Sequence, residues 1–190
     1  MKPITIYLFC LLLAMTTACN KKSENTETDA EEIAEEQNDQ KFDNTSMEGD
    51  SEFAMKAAEG GLLEVRLGEL AQNQASSSKV KEFGQQMITD HSKANSELQE
   101  LAKQKNISIP TSLSEDKQKK VDDFASKKGA EFDKAYSSYM VKDHKEDIDE
   151  FEKEADKGND PELKAWAAKT LPTLKHHLMM AEEAEKVAKQ

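Results

Sequence analysis

The chain has 190 residues, of which 36% are hydrophobic and 34% charged, with a formal net charge of −12 at neutral pH. That length fits one domain with appendages, and the acidic balance with no basic stripe argues against a nucleic-acid partner. Both cysteines lie in the first twenty residues, so the rest of the chain can build neither a disulfide framework nor a thiolate metal site.

The N-terminus reads as an address. Lys2 precedes an apolar run from Ile4 to Met15, and small residues close it at Thr16, Thr17 and Ala18. This is the order of a secretory signal, and the run is shorter than the roughly 20 residues of a membrane span. Cys19, directly after Ala18, resembles the cysteine of the bacterial lipobox. The resemblance implies cleavage before Cys19 and its lipidation, with several acyl chains anchoring the mature protein to a membrane. Asn20 follows that cysteine, which by the same resemblance favours the outer membrane; the domain is expected to face the periplasm, with exposure at the cell surface the alternative.

Residues 19–52 hold twelve acids against three lysines. Between residues 20 and 50 only Ile33, Phe42 and Met47 are large and apolar. Such a stretch buries too little surface to offset its ordering entropy. Residues 19–50 are therefore expected to be a disordered tether reaching about 30 Å, and its removal should leave stability nearly unchanged.

From residue 51 to 190 the apolar residues recur at helical spacing. A first long helix is expected from Ser51 to Gln74, with Phe53, Ala57, Gly60, Leu63, Leu67, Leu70 and Ala71 inward. A second follows Ser76-Ser77-Ser78 and ends near Lys105. A loop containing Pro110 leads to Ser112-x-x-Glu115, which reads as a capping box opening a short helix that Gly129 ends. A third long helix spans Ala130 to Asp156. Asp160-Pro161-Glu162 is a strong start for the fourth, with an N-cap aspartate, proline at the first position and an acid in the first turn. Pro172 should kink that helix by freeing the carbonyl of Ala168. Two short connections make two antiparallel hairpins. The long middle connector, with its own short helix, either returns along the bundle or folds back locally, and the crossover is the favoured reading. The fold class is all-α: a ferritin-like four-helix bundle with a short extra helix in the connector between the second and third helices. Met87 and His91 on the second helix, spaced like Met140 and His144 on the third, suggest related hairpins.

Four stretches carry a family resemblance: AAEGGLLEVRLGELA, VKEFGQQMITDHSKANSEL, VKDHKEDIDEFEKEA and DPELKAWAAKTLPTLKHHLMMAEEA. Over about residues 51–185 the chain resembles the bacterial domain-of-unknown-function 4142 family. The resemblance implies a ferritin-like fold in an exported envelope protein, and it carries over no established activity.

One constellation invites chemistry. His91, His144 and His177 fall on apolar helix faces, and Glu64 lies one turn after Gly60 and three residues before Leu67. Each sits near the middle of its helix, so the four should share one central layer. Burying such groups unpaired costs about 1–3 kcal/mol or more each, so they must satisfy one another, hold water, or bind an ion. Imidazole and carboxylate suit zinc, iron or copper. Asp147 could add an oxygen ligand, and Asp90 and Asp143 could orient neighbouring imidazoles. His176, rotated about 100° from His177, should face solvent. The Glu-x-x-His pattern of di-iron bundles is missing, since Ile88, Val141 and Leu174 stand where its glutamates would be. Met87 and Met140 at core spacing read as packing rather than copper ligands. No nucleophile elbow, phosphate loop or paired-carboxylate motif occurs, so the balance leans against an enzyme. Three readings follow: a binding module that holds one transition-metal ion or a small ligand in the layer, a structural lipoprotein whose polar layer fixes helix register, and, weakest, a metal-dependent oxidase.

Overall fold

The computed structural model describes residues 29–190, in six helices. The expected signal segment and Cys19 lie outside the described residues. Helix α1 is Ala30–Phe42, α2 Glu48–Gln74, α3 Ser78–Lys105, α4 Glu115–Ala125, α5 Gly129–Lys157 and α6 Pro161–Ala188. The four long helices have 27 to 29 residues, or about 40–44 Å each at 1.5 Å per residue. Among the described residues no helix is long and apolar enough to cross a membrane.

The pairing of ends fixes the topology. Phe53, at the start of α2, packs edge-on to Phe151 at the end of α5 and to Trp166 at the start of α6. Phe83, early in α3, meets Tyr136, early in α5. Lys79, at the start of α3, pairs with Glu183 at the end of α6. Neighbouring long helices are thus antiparallel, and the diagonal pairs α2/α6 and α3/α5 are parallel. The chain between α3 and α5 must therefore return the length of the bundle, which is the expected crossover. It leaves α3 at Asn106, a left-handed C-cap with φ 58°, and α4 packs on α2 and α5. Val121 and Phe124 of α4 join the core.

Two starts differ from expectation. The N-cap of α4 is Ser114, not Ser112, and its side chain makes no capping bond. Partners from elsewhere satisfy the end instead: Ser114 N donates to Glu59 Oε1 at 3.0 Å and Glu115 N to Asp29 Oδ2 at 2.8 Å. Gly129 does not end α4; with φ +59° it opens α5. Asp160 caps α6 as expected, accepting from Glu162 N and Leu163 N at 3.0 Å. The helix α6 continues through Pro172.

The stretch expected to be a disordered tether is corrected over its described part. Residues 30–42 form α1, capped by Asp29. Its docking is polar, which is why counting apolar residues overlooked it. Buried Asn38 exchanges two hydrogen bonds with the backbone of Ser108, at 2.8 and 2.7 Å. Lys41 Nζ donates to Asn106 O at 3.0 Å and to Ser108 Oγ at 2.9 Å. Phe42 and Met47 then pack against the core. With α1, α3, α4 and α5 all against it, α2 buries a wider face than expected. Ala54, Ala58 and Gly61 are buried, whereas Ala57 and Gly60 are only half-buried.

The two hairpins tie each other's turns. Buried Asp133, in the first turns of α5, accepts from Ser76 N at 3.1 Å, Ser76 Oγ at 2.5 Å and Ser77 N at 2.9 Å, closing the α2–α3 turn. Buried Asp50, in the first turn of α2, accepts from Asn159 N at 2.9 Å and Asp160 N at 2.5 Å, closing the α5–α6 turn. Each carboxylate replaces water on donors that a helix start leaves free.

The core falls into two apolar clusters. One holds Leu63, Leu67, Phe83, Met87, Phe132, Tyr136, Met140 and Ala181, and the other Phe53, Ala58, Leu98, Ile148, Phe151, Leu163, Trp166 and Leu174. On every long helix a polar residue sits at or beside the border between the two.

Candidate metal centre

That border is the layer formed by Glu64 on α2, His91 on α3, His144 on α5 and His177 on α6. All four are buried; Glu64 is 2% exposed, His91 6%, and His144 and His177 0%. His176, one position away, is exposed as expected. The imidazole centroids are 5.1 to 5.8 Å apart.

Each ring has one nitrogen turned outward onto an acceptor. His144 Nδ1 lies 3.1 Å from the backbone oxygen of Met140. A carbonyl only accepts, so this nitrogen carries the proton and Nε2 keeps its lone pair. His177 Nε2 lies 2.8 Å from Asp90 Oδ2, which leaves Nδ1 bare. His91 Nδ1 lies 2.7 Å from Glu64 Oε2. When Glu64 is ionised it accepts from that nitrogen, and His91 Nε2 is bare too. One nitrogen from each ring lies within 4.8 Å of the other two. His91 Nε2 and His177 Nδ1 are 3.3 Å apart. Two nitrogens bound at about 2.0–2.1 Å to one tetrahedral ion are separated by that same distance, about 3.3–3.4 Å.

The electrostatics suit ligation. Burial drives the His91 imidazole down to about 4, against the pull of Asp143 and Asp90. Burial, then the neighbouring His91, brings His177 to about 4 despite Asp90. Burial and the other two rings hold His144 well below the usual range. All three are therefore neutral at pH 7, as a metal ligand must be. Burial, reinforced by Asp143, pushes Glu64 well above the usual carboxylate range. Burial also works against the Asp90 carboxylate, but hydrogen bonds from Gln86 and His177 hold it below its ordinary value.

Without an ion, a protonated Glu64 can donate to His91 Nδ1, His91 Nε2 to His177 Nδ1, and His177 Nε2 to Asp90. That chain closes, yet two atoms stay outside it. His144 Nε2 and Glu64 Oε1 face each other at 3.4 Å, and neither has a hydrogen-bond partner. The Tyr136 hydroxyl, buried in the cluster on one side of the layer, is also unpartnered.

The expected roles shift in two places. Glu64, expected as a ligand, holds the outer nitrogen of His91 through one oxygen. Asp90 Oδ2 accepts from His177 Nε2 at 2.8 Å, whereas Asp143 is hydrogen-bonded to Tyr139. Asp143 also clusters with Glu64, His144 and Asp147, their donor atoms within 4.8 Å of one another. Burial raises both aspartates, Asp147 further because Glu64 and Asp143 stand beside it. Spacing alone could have grouped them, since 143 and 147 are one turn apart with His144 between. Met87 and Met140 are core packing; it is the carbonyl of Met140, not its sulfur, that meets His144.

Residues 21–184 match the model of a family described as Domain of unknown function (DUF4142). The chain belongs to this family. No curated protein and no solved structure matches it. In this DUF4142 protein the match takes in all of α1–α5 and most of α6, so the polar layer and the N-terminal helix both lie inside the family domain.

Proposed function

We propose that this DUF4142 protein is an envelope lipoprotein, anchored through Cys19, whose bundle binds one transition-metal ion through His91 Nε2, His144 Nε2 and His177 Nδ1. The observation that carries the reading is the set of outward partners. Glu64, the Met140 carbonyl and Asp90 each hold the far nitrogen of one ring, the arrangement that orients metal-ligating histidines. Nitrogen ligands suit zinc, copper or iron, and binding displaces the proton that closes the metal-free chain at Glu64. The protein holds the ion rather than turning over a substrate. The lipid anchor makes the membrane its fixed partner, and Asn20 favours the outer membrane.

A second reading keeps the layer metal-free, as a network that fixes helix register. The closed chain from Asp90 to Glu64 favours it; the facing unpartnered atoms of His144 and Glu64 count against it. Metal analysis of untagged protein decides between them. About one ion per wild-type chain, lost in His177→Ala, is expected; no ion in either overturns the proposal. Cys19→Ser should move the protein out of the membrane fraction, and a wild type with no lipid mass refutes the anchor.

A further inference from the structure

The oxygen-rich group beside the histidines has its own geometry. Glu64, Asp143, His144 and Asp147 each offer a donor atom within 4.8 Å of the rest. Two of these residues are buried with an atom that has no hydrogen-bond partner: Glu64 Oε1 and His144 Nε2, which face each other at 3.4 Å. Among the described residues, no lysine or arginine comes within ion-pair distance of Glu64, Asp143 or Asp147. Lys117 on α4 acts on all three carboxyl groups only through its field. Three carboxyl groups thus converge between α2 and α5 with no cation in contact. A cavity of about 20 Å³ whose lining includes Glu64, Asp147, Asn95 and His91 adjoins two of the three, enough for one water.

We infer that Glu64 Oε1, Asp143 and Asp147 form a second cation position, separate from the three-histidine centre, that takes a hard divalent ion such as Mn²⁺. Carboxylates and water suit manganese, magnesium and calcium, whereas imidazoles suit zinc and copper. His144 has a single free nitrogen and serves the histidine ion. Glu64 joins the two positions, with Oε2 on His91 and Oε1 on the hard ion. The inference stands apart from the histidine ion, because the carboxylates remain together whether or not the imidazoles are loaded.

The test is a Mn²⁺ titration of the mature full chain, loaded with one equivalent of zinc and followed by the electron paramagnetic resonance signal of free aqueous Mn²⁺. Wild type should bind one Mn²⁺ per chain. Asp147→Asn and Asp143→Asn, close in shape to the native residues, should weaken it at least tenfold while helical content and melting remain. Glu146→Gln, an exposed neighbour, should bind as wild type. His177→Ala should lose zinc but keep Mn²⁺, so failure of the histidine centre and failure of this position give different patterns. Absence of a stoichiometric Mn²⁺ in wild type overturns the inference. So does equal binding in Asp147→Asn and Asp143→Asn, which would mark the bound ion as diffuse surface association with an acidic protein.

Discussion

Replacing His177 by alanine separates an ion from a network, because the two predict different melting patterns. An ion that binds only the native state stabilises it by RT ln(1 + [L]/Kd), about 2.7 kcal/mol at a hundredfold excess over Kd. In a domain of this size 1 kcal/mol is worth about 2–4 °C. The wild type should therefore melt about 5–11 °C higher with the preferred metal than with chelator. His177→Ala removes one of three converging nitrogens and leaves buried His91 Nε2 without the partner it has at 3.3 Å, while Asp90 Oδ2 keeps the Gln86 amide at 2.7 Å. It should lose about 1–3 kcal/mol per unpaired buried group in metal and chelator alike, and the metal-dependent increment should vanish. His176→Ala, whose ring is exposed, should keep the increment. Calorimetry across zinc, copper and ferrous iron near pH 7 gives all three numbers. A wild type, verified metal-free, that melts at one temperature in every metal and in chelator would refute the geometric reasoning for the histidine centre.

Other perturbations probe separate links. Asp90→Asn keeps the shape but weakens the acceptor that fixes His177, so metal affinity should fall about 10–100-fold; unchanged affinity in a competition assay would mean that Asp90 is incidental. Burial, then the neighbouring Asp50, pushes Glu154 up to about 7 from an ordinary 4.5. The native state then favours its protonated form, so this group's contribution is greatest below about pH 4.5, declines as pH rises to about 7 and is flat above. Glu154→Gln should remove that slope from denaturant-unfolding curves and stabilise the protein at pH 8; parallel curves for the two proteins contradict the assignment. Deleting residues 20–47 should lower the melting temperature by about 4–8 °C, equivalent to about 2 kcal/mol, because Ser108 loses both bonds to Asn38 and Glu115 N loses Asp29. An unchanged melt would mean that α1 contributes nothing to the bundle.

The long helices and the polar layer were readable because both are matters of spacing. His91, His144 and His177 sit three or four residues from Met87, Met140 and Leu174, and a helix turns that interval into a shared face. The Asp160-Pro161 start was readable because its partners lie two and three residues away. Partners far along the chain leave no such trace. Asn38 finds Ser108 across 70 residues, Glu115 finds Asp29 across 86, and each converts a polar segment into ordered structure. The reading of residues 20–50 as a tether treated low apolar content as the whole account, although α1 is held chiefly by bonds to backbone. The role of Glu64 was hidden for a related reason. Periodicity puts it in the layer but does not say which oxygen meets which ring, and that detail makes it a holder of His91 with an atom to spare.

The reciprocal closure of turns by Asp50 and Asp133 has a consequence for how the molecule comes together. Neither half of the chain is complete alone: α2–α3 leaves Asp50 without its donors, and α5–α6 leaves Asp133 without its own. If the crossover were cut, the fragments could not each settle into a finished hairpin and dock later. Complementation between them would be cooperative, with both turns closing only as the two halves meet. The same coupling would make a change at Asp133 or Asp50 felt at the histidine layer as loss of cooperativity rather than as local fraying.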